Sequence, residues 1–421
     1  MTGSRQEFHV LVVGGGRELP ERLRQIGPEV RTAVLCRAET LGTVNDVGGH
    51  RVVVTLPDDS TTQDWVTAAR QVNAVWPLDA VVSFSDVDVH QAAAVAQALE
   101  LSFHSPRTVM WVNDKAAMRA RLQITGVDQL PFRVVRSVAE LAAFIDEVGP
   151  PVVVKPTGGR GSVGVTVIHN AAGVAAAFER AVSATAPRSR PTVPIAERFV
   201  EGPCLTVDAV THDGMHYVTG VHEAIVTEST GIDLAHVSPP RGTAAQTEAA
   251  AALVREVLTA LEVRRGITNT DVVMSSDGPV VLETHVRPSG NRLPSLGLHT
   301  TGVDVLDLWL RQVAGRDIGP GLARAMPLGR AEPFGAAAVH MLMTDQRGEL
   351  IRISGWEQVR ARPGVTAAGQ LLPDGSLLEG IASDFSSLGF VEVEGPTPAA
   401  ALALAADMVA QLTVQVAPRR A

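Results

Sequence analysis

The sequence predicts an α/β fold that turns α+β towards its later part, and three observations predict it. Apolar runs of strand length alternate with longer helix-like stretches through the first hundred residues. Hydrophobic residues make up 45% of the 421 positions against 19% charged, which is enough for a large core. Further on, strands follow one another through short turns, as antiparallel hairpins do. At about 100–200 residues per domain, the length suggests roughly three domains or lobes.

Taken in order, HVLVVGGG (9–16), RTAVLC, HRVVVT and DAVVSFS read as four strands, with helices at Glu18 to Ile26 and Thr61 to Val75 between them. Their alternation predicts a parallel, doubly wound sheet. Gly14, Gly15 and Gly16 stand where a dinucleotide fingerprint would, but its last glycine is missing and no acidic residue ends the second strand. A tight strand–helix turn is therefore the expectation. Residues 106–126 predict a helix with a cap at Asn113 or Asp114 and an end at Gly126. A strand near PFRVVR, a helix from Val138 to Glu147, and the strand PVVVKP follow. Next come the glycine-rich loop TGGRGSVGV, a strand ending at His169, and a helix from Ala172 to Ser183. APRSRPTVP reads as an exposed loop. IAERFV, CLTVDAV and HYVTGVHEAIV are strands, Thr247 to Leu261 is a helix, and ITNTDVVMSSDGPVVLETHVR is a hairpin about its SSDG turn. Residues 331–421 hold several strand signals and a helix from Thr397 to Leu412, which predicts one more compact lobe.

Composition excludes several classes. No stretch approaches the ~20 apolar residues that span a bilayer. The polar start MTGSRQEF lacks the basic segment and cleavage site of a secretory signal, so a cytoplasmic protein is expected. Cys36 and Cys204 cannot build a disulfide framework or a zinc cluster. A net charge of -9 argues against nucleic acid as a partner.

Only two of the 36 basic residues are lysines, Lys115 and Lys155. Compositional bias explains why arginine fills ordinary surface positions, but not why two positions resisted it. A compact ammonium fits between crowded phosphate oxygens where a wide guanidinium does not. Lys155 lies on the strand before the loop Thr157-Gly158-Gly159-Arg160-Gly161-Ser162-Val163-Gly164. That loop precedes a strand, so it is no P-loop. Its free N–H groups and the Ser162 hydroxyl still suit anionic oxygens, although a plain mobile hairpin would carry similar glycines. In the late hairpin, the turn makes Asp271 and Glu283 neighbours across the ladder, and His285 and Arg287 share the face of Glu283. Two carboxylates with a third ligand suit Mg²⁺, while a solvated face with one ion pair is the plainer alternative. Together these parts describe a phosphate site.

The motifs resemble those of the ATP-grasp ligases through most of the chain. NDKAAMRARLQITGVDQLPFRVV resembles that family's lysine-bearing helix, with Lys115, and VVVKPTGGRGSVGV its second lysine and flexible loop, with Lys155, Gly158, Gly159, Gly161 and Ser162. AERFVEG resembles the adenine hinge, with Glu197 and the backbone of Val200 at the contacting positions. DVVMSSDGPVVLETHVRPSGNRLPSL resembles the metal strands, implying Asp271, Glu283 and His285 as metal ligands and Arg287 as a catalytic cation. Within that family the likeness is to carboxylate–amine ligases of the L-amino acid ligase and carnosine synthase type, which often carry a histidine where His236 stands. Two positions depart from the pattern. Cys204 replaces a ribose-binding glutamate, a role that could pass to Glu201, and His285 replaces an asparagine and would be a soft ligand for Mg²⁺.

The resemblance implies an ATP-grasp fold in four parts. A Rossmann-like domain covers 1–105, a linker helix and small lobe 106–195, a large lobe 196–330, and a C-terminal subdomain 331–421. It implies ATP and Mg²⁺ (or Mn²⁺), a small carboxylate and an amine as substrates, amino acids foremost, and possible homodimers. A carboxylate would attack the γ-phosphate, and an amine would then displace phosphate from the acyl phosphate. Lys155 and Arg287 would neutralise charge, and His236 would orient or deprotonate the amine. Two other readings remain open at this point: a carboxylase or formyltransferase on the same scaffold, and a nucleotide-binding regulator without turnover.

Overall fold

A computed structural model describes residues 7–159, 161–184, 193–227, 231–325 and 335–418. Strands β1 (Phe8–Val13), β2 (Val30–Arg37), β3 (Val52–Leu56) and β4 (Ala80–Val82) form the expected parallel sheet, in the order β3-β2-β1-β4. Thr61 and Asp64 close a capping box at the start of helix Thr62–Val75. The early glycines do form a turn. Gly16 has φ +132°, and a Cβ there would lie 2.6 Å from the Phe84 ring.

Residues 106–126 make two helices, Pro106–Asn113 and Lys115–Thr125, rather than one. Asp114 is extended (φ -120°, ψ 109°), and its carboxylate accepts from the Ala117 N–H at 2.9 Å. That cap restarts the helix with Lys115 in its first turn, and Gly126 in the left-handed region ends it.

The small lobe is an antiparallel sheet of β5 (Phe132–Val134), β6 (Val152–Pro156), β7 (Thr166–Ile168) and β8 (Pro194–Arg198), ordered β5-β8-β6-β7. Helices Val138–Val148 and Val174–Ser183 seal it through Leu141, Phe144, Val174 and Ala177. The division expected at 195/196 falls inside β8, whose ladder partners β5 and β6 belong to the small lobe. Most of APRSRPTVP and the division at 330/331 lie outside the described residues, as does Arg160 of the glycine loop.

The large sheet reaches further than the lobe division predicts. It contains β9 (Cys204–His212), β10 (Met215–Val226), β11 (Asp233–Ser238), β12 (Gly266–Ser275) and β13 (Gly278–His285). The last part of the chain adds β14 (Ala336–Leu342), β15 (Arg347–Ser354), β16 (Val365–Gln370), β17 (Leu377–Glu379), β18 (Gly389–Gly395) and β19 (Thr413–Ala417). One eight-stranded sheet runs β13-β12-β9-β10-β11-β14-β18-β16, so three C-terminal strands continue the large lobe through the β11–β14 pairing. Among the described residues of this part, β17-β15-β19 stand apart as a small sheet. The capped helix Ala244–Ala260 covers the other end, burying Val254, Val257 and Leu258 against Leu205, Val207 and Val281. No helix among the described residues is long and apolar enough to cross a membrane.

Candidate active site

Both lysines are buried at the junction of the lobes. Lys115 is tied to the glycine loop twice: its N–H donates to the Thr157 carbonyl (2.9 Å) and its Nζ to the Gly159 carbonyl (2.8 Å). Its Nζ also meets the Glu283 carboxylate at 2.7 Å. The first helix turn, the loop and the late hairpin therefore converge on one ammonium. Lys155 faces inward from β6, with Nζ 2.8 Å from Glu197. Burial lowers its pKa, and the positive charges of Arg119 and Lys115 add to that effect against the pull of Glu197.

Glu197 corrects an expectation. Its side chain is fully buried, with one oxygen 2.7 Å from Arg119 Nε and the other 2.8 Å from Lys155. Burial opposes its charge, yet Lys155 and Arg119 lower its pKa to about 2. The carboxylate thus belongs to an internal ion network, and only the backbone of this position remains for a nucleotide. Arg119, itself 1% exposed, also donates to Asp128 (3.0 Å) and to the Val281 carbonyl (2.7 Å). The connection after β8 carries Val200, half-buried, and Glu201, exposed. Gly202 lets it pass over β12, since a Cβ there would lie 2.1 Å from the Met274 carbonyl.

Asp271 and Glu283 are opposite each other in the β12–β13 register. Burial and the charge of Glu283 push the Asp271 carboxyl up to about 6, although Thr206 donates to it at 2.6 Å. Burial opposes the charge of Glu283 too, but Lys115 and His285 hold its pKa well below the usual value. Two adjacent half-buried carboxylates, one of them raised by the other, suit a divalent cation between them. Mg²⁺ takes one or two carboxylates and fills its remaining positions with phosphate oxygens and water.

The third expected ligand is not assembled. Among the described residues no three of His, Cys, Asp and Glu gather as a metal-holding group. His285 has Nε2 3.3 Å from Glu283 and Nδ1 3.3 Å from Asp86. Burial disfavours its charge, but Asp86 and Glu283 raise its pKa to about 9, against the opposing charge of Arg287. A protonated imidazole offers a metal no lone pair. Asp86 also accepts from Arg287 Nε at 2.7 Å, while Arg287 Nη1 donates to the Pro288 carbonyl at 2.8 Å. Despite its burial, the Asp86 carboxyl is held well below the ordinary range by Arg287 and His285. Asp86 anchors both cations beyond the carboxyl end of β4, where ligands of parallel sheets collect.

Sequence reasoning missed Arg119 and Asp233. Asp233, on β11, lies 3.3 Å from His236 Nε2, and Asn291 Nδ2 reaches both residues, at 3.3 and 3.1 Å. His236 is 2% exposed. Among the described residues, its Nδ1 has no hydrogen-bond partner. Ser162 turns its hydroxyl to Asp384 (3.3 Å) rather than to open space. Gly158 and Gly159 lead from β6 into the loop, and Gly161 takes a left-handed φ of +62°. Cys204 opens β9. Burial, with Asp271, Asp233 and Glu283, drives its thiol well above the ordinary pKa, so it is no nucleophile. Cys204→Ser is expected to change turnover by less than about tenfold, under ~1.4 kcal/mol of barrier, in an ADP-release assay.

The fold is that of an ATP-grasp protein. A family model for the ATP-grasp domain matches residues 148–292, and one for the L-amino acid ligase C-terminal domain 2 matches residues 340–417. The chain thus carries an ATP-grasp domain and an L-amino acid ligase C-terminal domain, and is an ATP-dependent ligase forming carbon–nitrogen bonds. It is similar to the uncharacterized protein y4rH of Sinorhizobium fredii, 24% identical over 88% of this chain and 75% of that one. Alanine–anticapsin ligase of Bacillus subtilis is 23% identical over 43% of this chain. That match spans 42% of the ligase, less than half its length. Among solved structures, the L-amino acid ligase from Bacillus licheniformis aligns with a TM-score of 0.83 at 17% identity, over 98% of this chain and 100% of that one.

Proposed function

We propose that the protein joins the carboxylate of one amino acid, or of another small acid, to the amine of a second. The reaction would run through an acyl phosphate and release ADP and phosphate. One observation carries this reading: a continuous chain of contacts, Lys115–Glu283–His285–Asp86–Arg287, links three segments of the sequence in one place. Such charge density suits a triphosphate and an acyl phosphate, whose transition states need positioning and neutralisation.

In this scheme the substrate carboxylate oxygen attacks the γ-phosphorus, and ADP departs. Lys155 and Lys115 would neutralise the phosphates, and Lys115 fixes the first turn of the glycine loop. Asp271 and Glu283 would hold Mg²⁺, or Mn²⁺, which when bound neutralises phosphate charge. Arg287, kept in place by Asp86, faces the acyl oxygen as negative charge develops there. The amine nitrogen then attacks the acyl carbon, phosphate leaves, and the amine proton passes to a base. His236 is the candidate for that base, oriented by Asp233 and Asn291. The C-terminal domain match favours an amino-acid ligase over a carboxylase or formyltransferase.

The test is a matrix of amino-acid pairs with ATP and Mg²⁺, reading phosphate release and product mass. Phosphate release that needs two amino acids, with a product at their summed mass less water, is the expected outcome. Release driven by bicarbonate or formate, or ADP binding without turnover under any pair, would overturn the reading.

A further inference from the structure

The glycine loop is held by a residue that the reaction scheme leaves without a role. Asp384 stands in the turn between β17 and β18, in the C-terminal part of the chain. Its N–H donates to the Gly161 carbonyl (3.3 Å), and its Oδ2 accepts from the Ser162 hydroxyl (3.3 Å). Its Oδ1 accepts from the N–H of Asp233 (3.2 Å), whose own carboxylate faces His236. One side chain thus joins the phosphate loop to the strand that carries His236.

The loop is shaped for this contact. Gly161 and Ser162 both have left-handed φ, +62° and +60°. A serine reaches that region only at a cost, so its hydroxyl bond to Asp384 offsets a strained backbone. A Cβ on Gly161 would lie 2.6 Å from the Phe385 ring, so only glycine lets the loop come down on the Asp384–Ser386 turn.

We propose that Asp384 is a positioning residue. From the C-terminal lobe it latches the phosphate loop shut and ties that closure to the strand on the amine side of the site. This rests on the ligase reading above. Without the latch, the groups that hold nucleotide and metal remain, but water enters. Water then adds to the acyl carbon in place of the amine, the acyl–oxygen bond to phosphate breaks, and free carboxylate and phosphate result.

Two measurements on the full chain test this. Amide hydrogen exchange of Gly161 to Gly164, with ADP and Mg²⁺ bound, requires no ligase substrate. D384A is expected to speed it about tenfold, the scale of one or two net hydrogen bonds. D384N keeps the N–H to Gly161 and one acceptor, so it should recover part of the protection. The double variant S162A/D384A should exchange no faster than D384A, because both changes remove one bond. In turnover, D384A should raise the ratio of phosphate released to amide formed. Unchanged exchange in D384A, or independent effects of S162A and D384A, would overturn the latch. If D384A does not fold, D384N and S162A carry the same comparison. Failure of the ligase reading shows separately: wild type would release no phosphate with amino acids, while the loop would still respond to D384A.

Discussion

Lys155→Ala should reduce ADP formation by about 10²–10³-fold or more, the usual effect of removing one preorganised charge from a transition state. The ammonium is buried, so nothing from solvent replaces it. Its position on β6, directly before the glycine loop, leaves no other basic side chain that can reach the same phosphate oxygens along that strand. Lys155→Arg should rescue poorly, because a planar fork needs width that Glu197 and Arg119 already fill. The fold should survive with reduced stability. Breaking a buried pair outright costs about 3–5 kcal/mol, but Glu197 keeps Arg119 and so stays compensated in part. A melt showing a cooperative, moderately lowered transition, together with lost ADP release, is the expected pair of results. Near-normal turnover would mean that Lys155 serves only the internal network with Glu197.

Much of this site was legible because its chemistry is local. The hairpin brought Asp271 near Glu283, although a register shift between Asp271 and Val272 is what sets them directly opposite, and the arginine bias singled out both lysines. The helix start that presents Lys115 was legible in Asp114. The break of 106–126 into two helices was not, because an extended residue inside a good helical pattern is imposed by the loop that Lys115 grips. Asp86 and Arg287 are 201 positions apart, and no period or spacing records such a contact. Its only advance signal was general: Asp86 follows a parallel strand at its carboxyl end. Glu197 shows the opposite limit. Its motif was visible, yet whether the carboxylate meets a ligand or an internal cation depends on Arg119, 78 positions away. The reach of the large sheet was hidden for a related reason. A strand's sheet is decided by its ladder partner, and β14 finds β11 rather than a neighbour of its own.

Glu283→Gln should likewise abolish ADP formation, by roughly 10²–10³-fold, with a pH signature that separates it from simple damage. One Glu283 oxygen accepts from Lys115 and the other faces His285. A carboxamide keeps the shape but turns an NH₂ donor towards one of those cations, and it removes half of the carboxylate pair for Mg²⁺. Two titrations then move. Asp271, pushed up to about 6 by burial and by Glu283, should fall towards the ordinary carboxylate value once its charged neighbour is gone. His285, raised to about 9, should fall but stay above 6.5 because Asp86 remains. The signs follow from linkage. The raised His285 contributes stability that is complete below 6.5 and lost as pH rises through 9, so the alkaline limb of the melting curve should move to lower pH. A raised carboxyl opposes folding above its ordinary pKa, fully once pH passes 6, so relief at Asp271 should offset part of the lost Lys115 contact at pH 7. Histidine NMR titration of the full chain, beside melts from pH 5 to 10, measures both. An unshifted His285 with full ADP release would show that Glu283 belongs to a surface ion pair and not to the site.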